Sequence, residues 1–145
     1  MNVNYVIKLI PNKGYGLISK QFIKKGSLIW SCKNDKNVIS IDDNNLLKYL
    51  EKYNDEQMIN ILDHMYCFNG LCYDLSNSDN KYTNHSNNPN SYINENNESI
   101  ALRDIYIDEE ITENYTTYDN YLPNYYILMK KYYGTEWIND YKKWK

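Results

Sequence analysis

Cysteine is scarce in this chain, with 3 among 145 residues, at Cys32, Cys67 and Cys72. So odd and sparse a set is no disulfide framework, and no C-x-x-C pair marks a zinc site, so the expectation is free, half-buried thiols and no bound metal. Any apolar run of membrane-spanning length is also missing. The opening MNVNYVIKLI has neither a basic n-region nor a long apolar h-region. These two absences lead to the expectation of an intracellular protein, in cytoplasm or nucleus, with no membrane partner. Nor is positive charge in excess: 16 Lys+Arg against 19 Asp+Glu leave a net charge of -3, with a pI near 5.4. That balance argues against direct nucleic-acid binding through phosphates, and it suits a basic peptide partner. No internal repeat or flexible linker divides the sequence, and its length suits one domain with a genuine core.

What the chain has in plenty is tyrosine, 17 residues, beside abundant Asn, Lys and Ile. All four are specified by AT-rich codons, so a viral or protist coding bias is the expected origin of the excess. For a viral protein the site of action is the host cell. In so asparagine-rich a sequence, matches at Asn84 and Asn90 carry little weight. Histidine, serine, proline, glycine and tyrosine at fixed spacing carry more.

The local patterns predict an α+β chain. Val3 to Ile10 reads as an edge strand, Pro11-Asn12-Lys13-Gly14 as a turn, and Tyr15 to Ser19 and Ser27 to Cys32 as strands. Asp42 or Asp43 is placed to cap a helix through Leu46, Leu47 and Leu50. A second helix is expected from Asp55 to about Met65, with His64 as a structural residue in it. Strand signals return at Leu71 to Asp74, Ser91 to Ile93 and Ile100 to Leu102. A helix follows over Leu122 to Tyr133, then a short one containing Trp137, Ile138 and Tyr141.

Three segments stand out: Gly14-Tyr15-Gly16 opening GYGLISKQFIKKGSLIW, the loop KYTNHSNNPN from Lys81 to Asn90, and ALRDIYIDEEITENY from Ala101 to Tyr115. In that order they resemble the motifs of SET-domain protein lysine methyltransferases, namely a glycine pair, an asparagine-histidine-serine loop and a glutamate-rich turn that leads to a tyrosine. The resemblance runs to about Asp119 and is nearest to small stand-alone members, as occur in viruses and some bacteria. It implies a mainly β SET-type fold over residues 1–119, with a helical insert at 43–67 and a helical tail at 120–145 that closes the domain. Threading of the C-terminal motif through a preceding loop is likewise implied.

The same resemblance implies S-adenosylmethionine as cofactor and a protein lysine, on a histone tail above all, as acceptor. Gly14 and Gly16 would let the main chain approach the cofactor, since glycine has no Cβ in the way, and Tyr15 would contribute its main chain. Asn84 and His85 would meet the cofactor through backbone groups and the asparagine amide, with Ser86 and Asn90 holding the loop in shape. Tyr115 would be the catalytic phenol. Glu110 would brace the backbone. Tyr118, Tyr121 and Tyr92 are candidates for the walls of a lysine channel, and Tyr125, Tyr126 and Trp137 share the role of closing it. A homodimer could complete such a channel.

The chain departs from the family pattern at several places. Lys81 and Asn87 stand where an arginine and a cysteine are common, and no cysteine-rich zinc lid follows Tyr115. Asp108 replaces a common glycine. Glu113 replaces Phe or Tyr, and a glutamate fits there if it points to solvent or pairs with a cation. Glu113 and the missing lid motivate a second reading, a catalytically silent SET-like module that binds peptides or proteins. A Cys67 or Cys72 nucleophile with His85 and Asn90 could also be drawn, but nothing near either cysteine activates it.

Overall fold

The computed structural model describes residues 1–134 and Trp137. In chain order the strands and helices begin with β1 (Tyr5–Ile10), β2 (Gly14–Ser19), β3 (Leu28–Ser31) and β4 (Ile39–Asp42). Next come α1 (Leu46–Leu50), α2 (Asp55–Asp63), β5 (Met65–Phe68), β6 (Leu71–Asp74) and β7 (Asn84–His85). The last are β8 (Ser91–Ile93), β9 (Glu98–Ala101), β10 (Thr112–Glu113) and α3 (Pro123–Tyr133). Short, mostly antiparallel strands with few helices make this the expected α+β, mainly β class. The contacts gather into two compact units, Met1–Lys36 with Asp79–Tyr115, and Asn37–Ser78 with the chain from Thr116.

In the first unit β1 and β2 form an antiparallel ribbon in register from Tyr5↔Ser19 to Ile10↔Gly14. Their connection turns through positive φ at Asn12 (66°) and Gly14 (89°), conformations that Asn and Gly adopt at least cost. β2 turns Leu17 and Ile18 inward, whereas Val6, Ile7 and Leu9 of β1 stay exposed, as befits an edge. β3, β9 and β8 make a second antiparallel sheet in that order, and β7 and β10 make a parallel pair. The apolar core beneath them holds Leu17, Ile23, Ile29, Trp30, Ile105 and Ile111.

In the second unit β4, β6 and β5 form an antiparallel sheet in that order. The β5–β6 hairpin turns at Asn69 (φ 49°) and Gly70 (φ 81°), the two left-handed residues that a tight right-twisted hairpin asks for. That hairpin revises the sequence reading. The helix expected to reach Met65 stops at Asp63, and Met65–Phe68 pairs with Leu71–Asp74 instead. A sheet partner thus overrides the helical spacing of the segment, and with β5 and the unexpected β4 at its borders the stretch 43–67 is not wholly helical. The capping box at Asn54 and Gln57 starts α2 as its polar residues suggest.

Asp43 also differs from its expected use. Asp42 caps the 3-10 turn ahead of α1, while the buried Asp43 carboxylate accepts the main-chain N–H groups of Asn124 (3.0 Å) and Tyr125 (2.9 Å) at the start of α3. Pro123 opens that helix and Gly134, at φ 87°, ends it. Cys67 and Cys72 face each other across β5 and β6, free and fully buried rather than half-buried, while Cys32 is half-buried. The His64 ring meets the Asn60 carbonyl at 2.8 Å. Of the short helix expected after Gly134, Ile138 and Tyr141 lie outside the described residues.

Candidate active site

The parallel pair of β7 and β10 lays the histidine loop beside the tyrosine segment, with Asn84 opposite Thr112 and His85 opposite Glu113. Strands of two residues cannot hold a register alone, and polar side chains on both sides do so. Asn90 grips the main chain of the second segment at two points: its Nδ2 donates to the Glu110 carbonyl (2.8 Å) and its Oδ1 accepts from the Thr112 N–H (2.9 Å). The Ser91 hydroxyl donates to the Thr112 carbonyl (2.8 Å), and the Ser86 N–H to that of Glu113 (2.9 Å). Within the loop, Ser86 Oγ accepts the Asn88 N–H at 3.0 Å.

The glycine segment joins this pair through Asn84. Its buried amide donates to the Tyr15 carbonyl (3.1 Å) and to Glu110 Oε1 (2.7 Å), and Lys13 Nζ binds Glu110 Oε2 at 3.1 Å. Both amide hydrogens therefore serve inside the protein, so the Asn84 side chain braces the three motifs. Gly16 is required by the same knot of groups. A Cβ there would lie 2.7 Å from Glu110 Oε1, 2.9 Å from Ile10 Cγ1 and 3.0 Å from Asn84 Nδ2. At Gly14 a Cβ would meet nothing within 4 Å. Open space thus lies beside the first glycine and crowding at the second. The Tyr15 ring is exposed and meets Tyr82 edge-on at 6.1 Å between centroids.

Tyr115 is buried, and its hydroxyl donates to the Thr83 carbonyl at 2.5 Å. Its main-chain N–H donates to His85 Nδ1 at 3.1 Å, and the two rings lie 5.3 Å apart. Because Nδ1 accepts, the imidazole proton sits on Nε2, which meets Asn87 Oδ1 at 3.0 Å. Burial lowers the His85 pKa, which the hydrogen bond to Asn87 opposes and the Lys13 charge assists, so this neutral tautomer is favoured. For Tyr115, burial and then the charges of Glu113 and Glu110 push the phenol well above the ordinary value. It stays protonated at neutral pH, able to orient a nucleophile but a poor base.

Glu113 is only 2 % exposed and accepts the Ser99 hydroxyl at 2.7 Å. Burial overturns the expectation that it could point to solvent. Asp108 sits at φ 71°, the left-handed turn position that explains why glycine is common there, and it pairs with Lys20. Lys81 lies over the Tyr82 ring at 5.0 Å. Of the aromatic candidates, Tyr92 is exposed on β8 in the first unit. In the second unit Tyr118 packs on Tyr66 (5.2 Å), and the exposed Tyr121 stacks on Tyr126 (5.5 Å). Tyr125 packs edge-on against Trp137 at 5.8 Å. Burial, with Cys72 as hydrogen-bond neighbour, pushes the Cys67 thiol pKa up, opposite to what a nucleophile needs.

The sequence reading missed Thr83 and Ser99. Thr83 acts through its carbonyl, which leaves no trace in residue identity, and Ser99 is an ordinary strand serine until the fold puts Glu113 opposite it.

Residues 14–116 match the family model of the SET domain. No protein of curated function matches the chain. Among solved structures, a Plasmodium falciparum candidate histone methyltransferase is 21 % identical with a TM-score of 0.51, the match covering 79 % of this chain and 95 % of that one. The Neurospora SET domain protein DIM-5, a histone lysine methyltransferase, is 15 % identical with a TM-score of 0.58, over 79 % of this chain and 52 % of that one. A structure of ctPRC2 in an autoinhibited conformation bound to S-adenosylmethionine is 19 % identical with a TM-score of 0.57, over 90 % of this chain and 17 % of that one. At these identities the likeness is one of fold.

Proposed function

The chain belongs to the SET domain family, and from that premise we propose that it moves a methyl group from S-adenosylmethionine to the side-chain nitrogen of a protein lysine, with a histone tail as the favoured acceptor. The observation that carries this reading is that Gly16 and Glu110 meet at Asn84, while the neighbouring Thr83 and His85 hold Tyr115. The histidine loop thus joins the glycine segment on one side and the buried phenol on the other.

The residues present fit the cofactor. The open space at Gly14 leaves room for close approach, and the main chain of Gly14, Tyr15, Gly16, Asn84 and His85 would hold it. When bound, S-adenosylmethionine supplies an electrophilic methyl on a sulfonium. The chain's own task is to present a neutral amine in line with it. The Tyr115 O–H is committed to the Thr83 carbonyl, and the phenol oxygen would accept an N–H from the amine and aim its lone pair. His85 anchors the main chain of Tyr115, which keeps the phenol in place. The ammonium of a free lysine has a pKa of about 10.4, and desolvation in a buried site lowers it toward the neutral form. Most of the rate enhancement is then positional, for which effective molarities of about 10⁵–10⁸ M are the relevant scale.

The test is transfer of label from radiolabelled S-adenosylmethionine to core histones and to a cell lysate, wild type beside Tyr115→Phe. Label on a protein lysine, reduced about 100-fold or more in the variant, is expected for the loss of a positioning contact. Full activity in Tyr115→Phe would remove the role given to the phenol. The buried Glu113 favours the second reading, a silent peptide-binding module. Such a module would bind S-adenosylmethionine weakly or not at all.

A further inference from the structure

Cys67 on β5 and Cys72 on β6 are thiols that methyl transfer, as described, does not use. They face each other in register across the hairpin. The ladder fixes how their backbones meet. The Leu75 N–H donates to the His64 carbonyl at 3.0 Å, so His64 and Leu75 are a hydrogen-bonded pair. Bonded and non-bonded pairs alternate along an antiparallel ribbon, which makes Cys67 and Cys72 a non-bonded pair. The Cys67 carbonyl agrees, for it turns out of the hairpin and accepts the Asp119 N–H at 2.8 Å. At such a pair the Cα atoms approach to about 4.5 Å, inside the range of about 4.4–6.8 Å that a disulfide spans. The two thiols are within hydrogen-bonding reach of each other, and neither is exposed.

We propose that Cys67 and Cys72 form a reversible oxidation site, closing a disulfide that staples β5 to β6 when the chain meets a hydroperoxide. In the closed hairpin the pair is shielded, and burial keeps the Cys67 thiol protonated. The pair lies two steps from the exposed turn at Asn69 and Gly70, so opening of the hairpin tip alone uncovers it. Asp119 opposes that opening. Its carboxylate accepts the Gly70 N–H at 2.9 Å, and its own N–H holds the Cys67 carbonyl. Once uncovered, one thiol loses its proton to solvent and its sulfur attacks a peroxide oxygen. The O–O bond breaks, water or an alcohol departs, and a sulfenic acid is left. The second thiolate attacks that sulfur, so the S–S bond forms while the S–O bond breaks and water leaves. Two electrons thus pass from the thiols to the peroxide, and a dithiol reductant reverses the bridge. The stapled hairpin also carries Tyr66, on which Tyr118 packs.

The experiment treats the folded full chain with hydrogen peroxide, alkylates it with iodoacetamide in urea, and weighs the tryptic peptide that carries both cysteines. That peptide should lose two hydrogens and take up no iodoacetamide, and dithiothreitol should restore both alkylation sites. Cys67→Ser and Cys72→Ser should each abolish the bridge. In the oxidised chain the hairpin amides should exchange with solvent about tenfold more slowly, the scale of a short closed loop. Asp119→Ala, which frees the Gly70 N–H, should form the bridge about tenfold faster, the scale of one hydrogen bond to a charged group. Thiols that both still alkylate after peroxide overturn the proposal. So do sulfinic or sulfonic acids in place of the bridge, or a bridge that forms only when peroxide is added in urea. An Asp119→Ala chain that oxidises no faster than wild type overturns the local opening at the turn. Each readout is independent of methyl transfer, so a failure here leaves that reading standing.

Discussion

The two compact units bury different chemistry. The unit with the motifs buries Thr83, Asn84, Asn90, Ser91, Ser99, Thr112 and Glu113 beneath its surface, whereas the core of the other is Leu46, Leu50, Leu62, Met65, Tyr125 and Met129, with Asp43 and Asp74 among its few buried polar groups. The reason lies in the backbone. Away from their ends, the helices and the three-stranded sheet of the second unit bond their own N–H and C=O groups, so apolar side chains can fill the interior. Around β7 and β10 the ladder is too short to do so, and side-chain amides and hydroxyls stand in for missing strand partners. The lesson is that the site is built where regular structure runs out, and its precision depends on hydrogen bonds from side chains.

Substitutions can break or sharpen that contrast. The largest effect on stability is expected from Leu62→Ala in the apolar unit, about 2–5 kcal/mol from lost burial and a residual cavity, read from the urea midpoint. Gly16→Ala comes next, at about 1–3 kcal/mol, because the added Cβ drives into Glu110, Ile10 and Asn84. It should cost methyl transfer out of proportion to the shift in melting temperature, since it disturbs the brace itself. A Gly16→Ala protein that melts like wild type and transfers at the wild-type rate would show that the brace is dispensable.

The smallest effect is a pH dependence. Burial lowers the folded-state pKa of His85 below its ordinary value of about 6.5. Below that value the unfolded chain binds the proton more readily than the folded one. The contribution of His85 is therefore full above about pH 6.5 and is lost as pH falls through the lower folded value. Urea midpoints taken from pH 7.5 down to 5.5 should decline in wild type and decline less in His85→Gln. Equal slopes would mean that folding does not lower the pKa of His85.

Much of this could be read along the chain. Asn12 and Gly14 marked the first hairpin, and Pro123 and Gly134 the ends of α3. Of the stripe Leu46, Leu47 and Leu50 the first and last are buried, while Leu47 is exposed. His85 and Tyr115, singled out in separate motifs, lie in contact. Met65 to Phe68 misled, because four residues with apolar character suit a helix end or a buried strand equally until a partner strand is known. Glu113 misled for a related reason, since its burial depends on Ser99, which nothing in the local sequence singles out.

By itself the sequence determined the turns, the helix ends and the order of the motifs, because these depend on φ preferences, caps and spacing over a few residues. Only the tertiary structure decided that Asn84 joins Tyr15 to Glu110, that Asp43 caps a helix 81 residues away, and that Tyr115 rests on the Thr83 carbonyl. Each of these pairs a group with a partner distant in sequence, and a hydrogen bond closed across so long a loop leaves no periodic mark on the residues between.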